Sequence, residues 1–197
     1  MTSLENVSRE TLDRLELFQS LLIEANTKQN LVSTSTIENL WQRHIVDSAQ
    51  LMALIPRGSV ADIGSGAGLP GIVLACLSAA SVCLIEPRKL RADFLRSTIA
   101  RLDLANAGVE CASVEHVIGK FDVITARAVA PLDRLLRMAV HLSHPGTVWV
   151  LPKGKKVKSE LAEARLSWHC TVREVPSETD PAATILILTQ VKAKRRQ

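Results

Sequence analysis

Apolar residues recur at helical spacing through residues 1–58 and then switch to short runs parted by polar turns. Leu12, Leu15, Phe18, Leu22 and Ala25 mark one face of a first helix, with charges between them. Ser35-Thr36-Ile37-Glu38 has capping-box spacing and predicts a second helix carrying Leu40, Trp41, His44 and Ile45. Pro56-Arg57-Gly58 ends this part. From Ser59 the pattern predicts strands at 60–63, 82–85, 109–112, 121–126, 147–151, 168–175 and 183–191. Helices are expected between them at 70–77, 88–102, 132–142 and 157–166. Alternating β and α units argue an α/β fold of Rossmann-like type, a mainly parallel seven-stranded sheet with helices on both faces. The last two strands have no helix between them, so the final strand must be antiparallel. The expected organisation is a helical N-terminal extension, 1–58, packed on a main domain, 59–197, as one structural unit.

The chemistry gathers at Asp62-Ile63-Gly64-Ser65-Gly66-Ala67-Gly68-Leu69-Pro70-Gly71, between the first strand and its helix. A glycine-rich turn there lets a ligand approach the backbone. Glu86 ends the second strand about twenty residues on, where a carboxylate meets ribose hydroxyls. Gly66, Gly68 and Gly71 spell G-x-G-x-x-G, which alone favours a dinucleotide. Asp62 at the strand end shifts the reading, because a carboxylate is a poor neighbour for a pyrophosphate and a good one for a cationic sulfonium cofactor. A parallel sheet ending in an antiparallel hairpin is the architecture of enzymes that use S-adenosylmethionine.

Composition narrows the partners. Nearly half of the 197 residues are hydrophobic (47%), enough for a sizeable core. No apolar run is long enough for a membrane span and no signal peptide is evident, so the expected location is cytoplasmic, with no membrane partner. Cys76, Cys83, Cys111 and Cys170 are widely spaced, which predicts buried free thiols and no metal site. The net charge of +4 is mild, but Lys153, Lys155, Lys156 and Lys158 cluster, and Lys192, Lys194, Arg195 and Arg196 end the chain. The first cluster is a candidate phosphate-binding run for RNA. Arg43 and His44 either line an RNA entrance or pair within the N-terminal helices with Asp47. Arg127 follows the fourth strand, at the sheet edge where open α/β folds bind ligands.

Over nearly its whole length the chain resembles the RsmG (GidB) family of bacterial rRNA methyltransferases. The resemblance rests on the loop from Asp62 through Leu69-Pro70-Gly71 and on Phe121-Asp122-Val123-Ile124-Thr125-Ala126-Arg127-Ala128-Val129-Ala130-Pro131-Leu132. Asn30-Leu31, His44-Ile45-Val46-Asp47-Ser48 and Pro152-Lys153-Gly154 add to it. It implies a class I methyltransferase that uses S-adenosylmethionine to methylate N7 of guanine 527 in 16S rRNA of the 30S subunit. It implies that Gly64 and Leu69 lie against the cofactor, that Val114 and Glu115 border its adenine and that Arg127 contacts the pocket. Pro87 and Leu90 depart from the family, which tends to have a small polar residue and a lysine there. Guanine N7 carries a free lone pair and no proton, so no general base is expected; Arg127 is the nearest candidate for a catalytic group. A methyltransferase acting on another RNA, a small molecule or a protein, and a non-catalytic nucleotide-binding module, remain the alternatives. No obligate protein partner is evident.

Overall fold

Parallel strands covered on both faces read as continuous apolar runs, and β1 (Val60–Ile63) is buried at every position. The computed structural model describes Leu4, Glu5 and residues 7–194; Arg195 and Arg196 of the terminal basic run lie outside the described residues. The other strands are β2 (Val82–Ile85), β3 (Ala107–Glu110), β4 (Phe121–Ala126), β5 (Ser143–Lys153), β6 (Trp168–Pro176) and β7 (Thr184–Ala193). They form one sheet in the order β3-β2-β1-β4-β5-β7-β6. The first five pair in parallel, and β7 runs antiparallel to both β5 and β6. This is the mainly parallel sheet with an antiparallel end that the alternation predicts. Chain order diverges between β1 and β4, so their carboxyl ends flank the switch-point crevice.

The helices are α1 (Arg9–Gln29), the single turn α2 (Asp47–Ala49), α3 (Gly71–Leu77), α4 (Lys89–Arg101), α5 (Leu132–Ala139) and α6 (Val157–Ser167). Side chains alternate across each strand. Val60, Val123 and Val150 face a core shared with Leu15, Phe18 and Leu22 of α1, Ile72 of α3 and Leu95 of α4. Ala61, Ile63, Ile124, Trp149 and Leu151 face the opposite core with Leu135 and Leu136 of α5 and Leu161 of α6. Arg127 continues the first parity and Lys153 the second, so the two cations leave the sheet edge towards opposite layers.

Three expectations are corrected. The second helix is irregular: 3-10 turns at Thr34–Asn39 and Gln50–Leu54 enclose a π-helical turn at Trp41–Val46 and α2. Leu40 and Ile45 are both buried five residues apart. Five residues of a regular α-helix overshoot one face by more than a third of a turn, and the wider i→i+5 turn returns them to it. The capping box does not form; Ser35 Oγ instead hydrogen-bonds Ser33 Oγ at 2.9 Å. β3 begins two residues earlier than expected, because its register is set by pairing Val82 with Ala107 and Ile85 with Glu110. Its half-exposed pattern holds no apolar run to mark it. Of the four free cysteines only Cys76 is buried, and Cys111, just past this edge strand, is exposed.

Candidate active site

The glycine loop closes on itself from below. Ser65 N–H donates to the Ile85 carbonyl at 3.0 Å and Ser65 Oγ to the Asp62 carbonyl at 2.9 Å. Gly68 and Leu69 N–H both donate to the Ser65 carbonyl, and Ile72 N–H to that of Gly68. Gly71 N–H donates to Asp62 Oδ2 at 3.1 Å. Gly64 sits at φ +65°, and a Cβ there would come 2.8 Å from Val129 Cγ2. At Gly71 a Cβ would strike Leu84 Cδ2 and Asp62 Oδ2. The first glycine thus allows a left-handed turn beside the β4 loop, and the second allows α3 to start directly over Asp62.

Asp62 differs from its expected role. Strand alternation turns its side chain under the loop, where it is fully buried and Oδ1 has no hydrogen-bond partner. It shapes the loop and offers no exposed charge to a ligand. Burial pushes its carboxyl up to about 7, against the pull of the Gly71 N–H and Arg127. Between the unfolded value of 3.8 and that folded value the native chain holds a proton the unfolded chain has lost. Stability therefore falls as pH rises through this window. Asp62→Asn keeps an acceptor for Gly71 and removes the titration. Urea unfolding across pH should show the variant gaining on wild type from about pH 4 to about pH 7 and level above it; parallel pH curves would contradict the assignment.

Glu86, at the end of β2, is nearly buried. Its Oε2 accepts from Gly66 N–H at 2.9 Å and its Oε1 from Arg88 N–H at 2.8 Å. The backbone N–H groups of Ser65, Gly66, Gly68, Leu69, Gly71 and Ile72 are thus all paired within the protein. A pyrophosphate needs such groups free, so these six are not available to one. A Cβ on Gly66 would meet nothing closer than the Gly64 carbonyl at 3.7 Å and Arg91 at 3.8 Å. That open space lies beside the Glu86 carboxylate, which Gly66 N–H holds. Leu69 points inward at 4% exposure, so only its backbone remains for a ligand. Val114 is buried in a one-turn 3-10 helix after β3, while Glu115 beside it is exposed.

Beyond Arg127 a cavity of about 720 Å³ opens between the N-terminal segment, the β4–α5 loop, the end of β5 and the β6–β7 turn. Val129 lines it and also abuts Gly64, so cavity and loop share a wall. Arg127 Nη1 donates to His44 Nδ1 at 3.1 Å, to Asp47 Oδ2 at 3.3 Å and to the Arg43 carbonyl at 3.5 Å. Because Nδ1 accepts, the imidazole proton sits on Nε2 and reaches Thr36 Oγ1 at 3.1 Å. Burial and the neighbouring Arg127 charge lower the His44 pKa to about 4, so the ring is neutral at pH 7. Asp47 Oδ1 accepts from Gln50 Nε2 at 2.8 Å and from Thr179 Oγ1 at 2.6 Å, and Gln50 Oε1 accepts from Glu178 N–H at 2.8 Å. Gln50, Ser177 and Thr179 carry no motif, and nothing in the sequence marks them.

The lysine run divides. Lys155, Lys156 and Lys158 are exposed after β5 and do not line the cavity. Lys153 instead turns inward at 9% side-chain exposure, donating to Glu160 Oε2 at 2.8 Å and to the Ala130 carbonyl at 3.1 Å. The expectation of a phosphate contact from Lys153 is corrected, because strand parity aims it at α6. Arg43 is exposed on the cavity wall, and His44 is committed to Arg127.

The GidB family, described as rRNA small subunit methyltransferase G, matches residues 11–182. A ribosomal RNA small subunit methyltransferase G from Rhodospirillum centenum is 44% identical over 194 residues, covering 97% of this chain and 89% of the relative. One from Gluconobacter oxydans is 44% identical over 191 residues, covering 94% and 97%. Among solved structures, a SAM-dependent methyltransferase from Aquifex aeolicus superposes with a TM-score of 0.61 at 14% identity, covering 86% of this chain and 97% of that one. A ribosomal protein L11 methylase from Lactobacillus delbrueckii subsp. bulgaricus gives 0.59 at 19% identity, covering 75% and 78%. The structural likenesses carry the fold, the class I methyltransferase architecture, and the sequence matches carry the family. With its paired glycine loop, Glu86 and the cavity beyond Arg127 in place, the chain belongs to the GidB family, rRNA small subunit methyltransferase G.

Proposed function

We propose that the protein transfers a methyl group from S-adenosylmethionine to N7 of guanine 527 in 16S rRNA of the 30S subunit. The observation that carries this reading is the shared wall at Val129, which sets a cavity of about 720 Å³ directly beside the glycine loop. S-adenosylmethionine, when bound, supplies a sulfonium methyl group that passes to the N7 lone pair as the C–S bond electrons return to sulfur. Gly64 and Gly66, the Leu69 backbone and Glu86 would hold it, and Val114 and Glu115 would border its adenine. The residues of the chain then orient and exclude water, which suits an in-line transfer that needs no base. Arg127 braces the two halves of the site and is the nearest candidate for a catalytic group; no other catalytic side chain is required.

The exposed lysines after β5 would meet phosphates. Replacing Lys155, Lys156 and Lys158 together by alanine is expected to flatten the salt dependence of RNA binding by roughly 2–3 in log–log slope. Affinity for the cofactor should stay unchanged in the same titrations. No helix among the described residues is long and apolar enough to cross a membrane, and we take the protein to act in the cytoplasm beside its substrate. The reading is tested by incubating the purified protein and labelled cofactor with 30S subunits and naked 16S rRNA from cells lacking the activity. Label at guanine N7, mapped by chemical cleavage at that base, is the expected result. Absence of label in both RNAs would falsify it.

A further inference from the structure

Where β5 meets α6 the cavity is lined by a cation and an anion side by side. Lys153 Nζ and Glu160 Oε2 lie 2.8 Å apart, and both line the cavity. Glu160 Oε2 also accepts from Leu132 N–H at 3.0 Å, but its Oε1 holds no hydrogen bond among the described residues. The ammonium has three protons, and two are committed, to Glu160 and to the Ala130 carbonyl. The pair therefore turns one free donor and one free acceptor towards the cavity. The other carboxylates there do not. Both oxygens of Asp47 are engaged by Arg127, Gln50 and Thr179. Asp180 is exposed and caps its own turn through Ala182 N–H.

A donor next to an acceptor matches one edge of guanine, where O6 accepts and N1–H and the 2-amino group donate. Adenine shows the opposite order, an amino donor facing the ammonium and N1 facing the carboxylate, and both contacts would repel. Resting on the guanine-N7 reading above, we propose that Lys153 and Glu160 read the acceptor base, the ammonium donating to O6 and the carboxylate accepting from N1–H and the 2-amino group. N7 shares the O6 edge of the purine, so the ammonium that holds O6 also fixes where N7 lies. As methylation makes the ring cationic, N1–H becomes a stronger donor, so the bond to Glu160 tightens in the transition state.

A merely structural pair would hold the α5 N-terminus and ignore the base. Single-turnover transfer separates the two roles, using substrate RNA with guanosine or inosine at the acceptor position. Inosine lacks only the 2-amino group. Wild-type protein is expected to methylate the inosine RNA ~10–100-fold more slowly, the cost of one lost hydrogen bond to a charged group. Glu160→Gln keeps an acceptor for Leu132 N–H and should bind cofactor as wild type does. It should be slow on both RNAs and lose most of the discrimination. Equal wild-type rates on guanosine and inosine overturn the proposal without need of any variant. Full discrimination retained by Glu160→Gln also overturns it. If wild type transfers no methyl to the guanosine RNA, the guanine-N7 reading itself falls and takes this one with it.

Discussion

Replacing Arg127 by alanine should lower methyl transfer at least ~100-fold, equivalent to about 2.7 kcal/mol in the barrier, and should destabilise the fold, because removing one partner of a buried charged pair costs roughly 3–5 kcal/mol of stability. The lower part of that range applies, since the Arg127 and Asp47 side chains are 20% and 19% exposed. Arg127 is the joint between the β4 end and the N-terminal segment, through His44, Asp47 and the Arg43 carbonyl. Without it the Asp47 carboxylate keeps only Gln50 and Thr179, and the cavity wall next to Val129 loses its brace. Cofactor affinity, measured by calorimetry, should fall along with turnover. A second readout is independent of activity. His44 is held near 4 by burial first and then by the Arg127 charge. Loss of that charge should move the His44 titration, followed by NMR, up towards its ordinary range. An unchanged His44 together with unchanged cofactor affinity would reduce Arg127 to a surface ion pair.

Glu86→Ala should weaken cofactor binding by two to three orders of magnitude while leaving RNA affinity and its salt slope intact. The carboxylate is buried and ties Gly66 N–H to Arg88 N–H. Its loss leaves both donors unsatisfied at about 1–3 kcal/mol each and removes the carboxylate that holds Gly66 N–H. The RNA surface, Lys155, Lys156 and Lys158 after β5, is not part of this network. Equilibrium dialysis with the cofactor and filter binding with RNA at several salt concentrations separate the two effects. A parallel loss of RNA affinity would show that Glu86 supports the whole edge of the sheet and not one ligand.

Much of the fold was legible because it is local. β1, β2 and β4 begin and end where the apolar runs do, since an interior parallel strand must be apolar on both faces. β3 was misplaced because an edge strand needs only half of its side chains inward. The segment carrying His44 was misjudged because α-helical spacing does not describe a π turn, whose existence depends on burying Leu40 and Ile45 together. The loop from Asp62 to Gly71 was recognisable, yet the job of Asp62 was not. Only the packed structure shows its carboxyl enclosed beneath Gly71 instead of facing a ligand.

The βα alternation, the glycine loop with Glu86 behind it and the placement of Arg127 at a strand end are legible in the chain before it folds. Each of these is written in neighbouring residues or in a spacing of one βαβ unit. Which charges meet follows only from packing. Arg127 finds Asp47 from 80 residues away, and Asp47 finds Thr179 across 132. Lys153 leaves the basic run for Glu160 because β5 parity points it at α6. Side-chain direction is set by strand register and by which layer covers each face, and no local pattern in the chain encodes either.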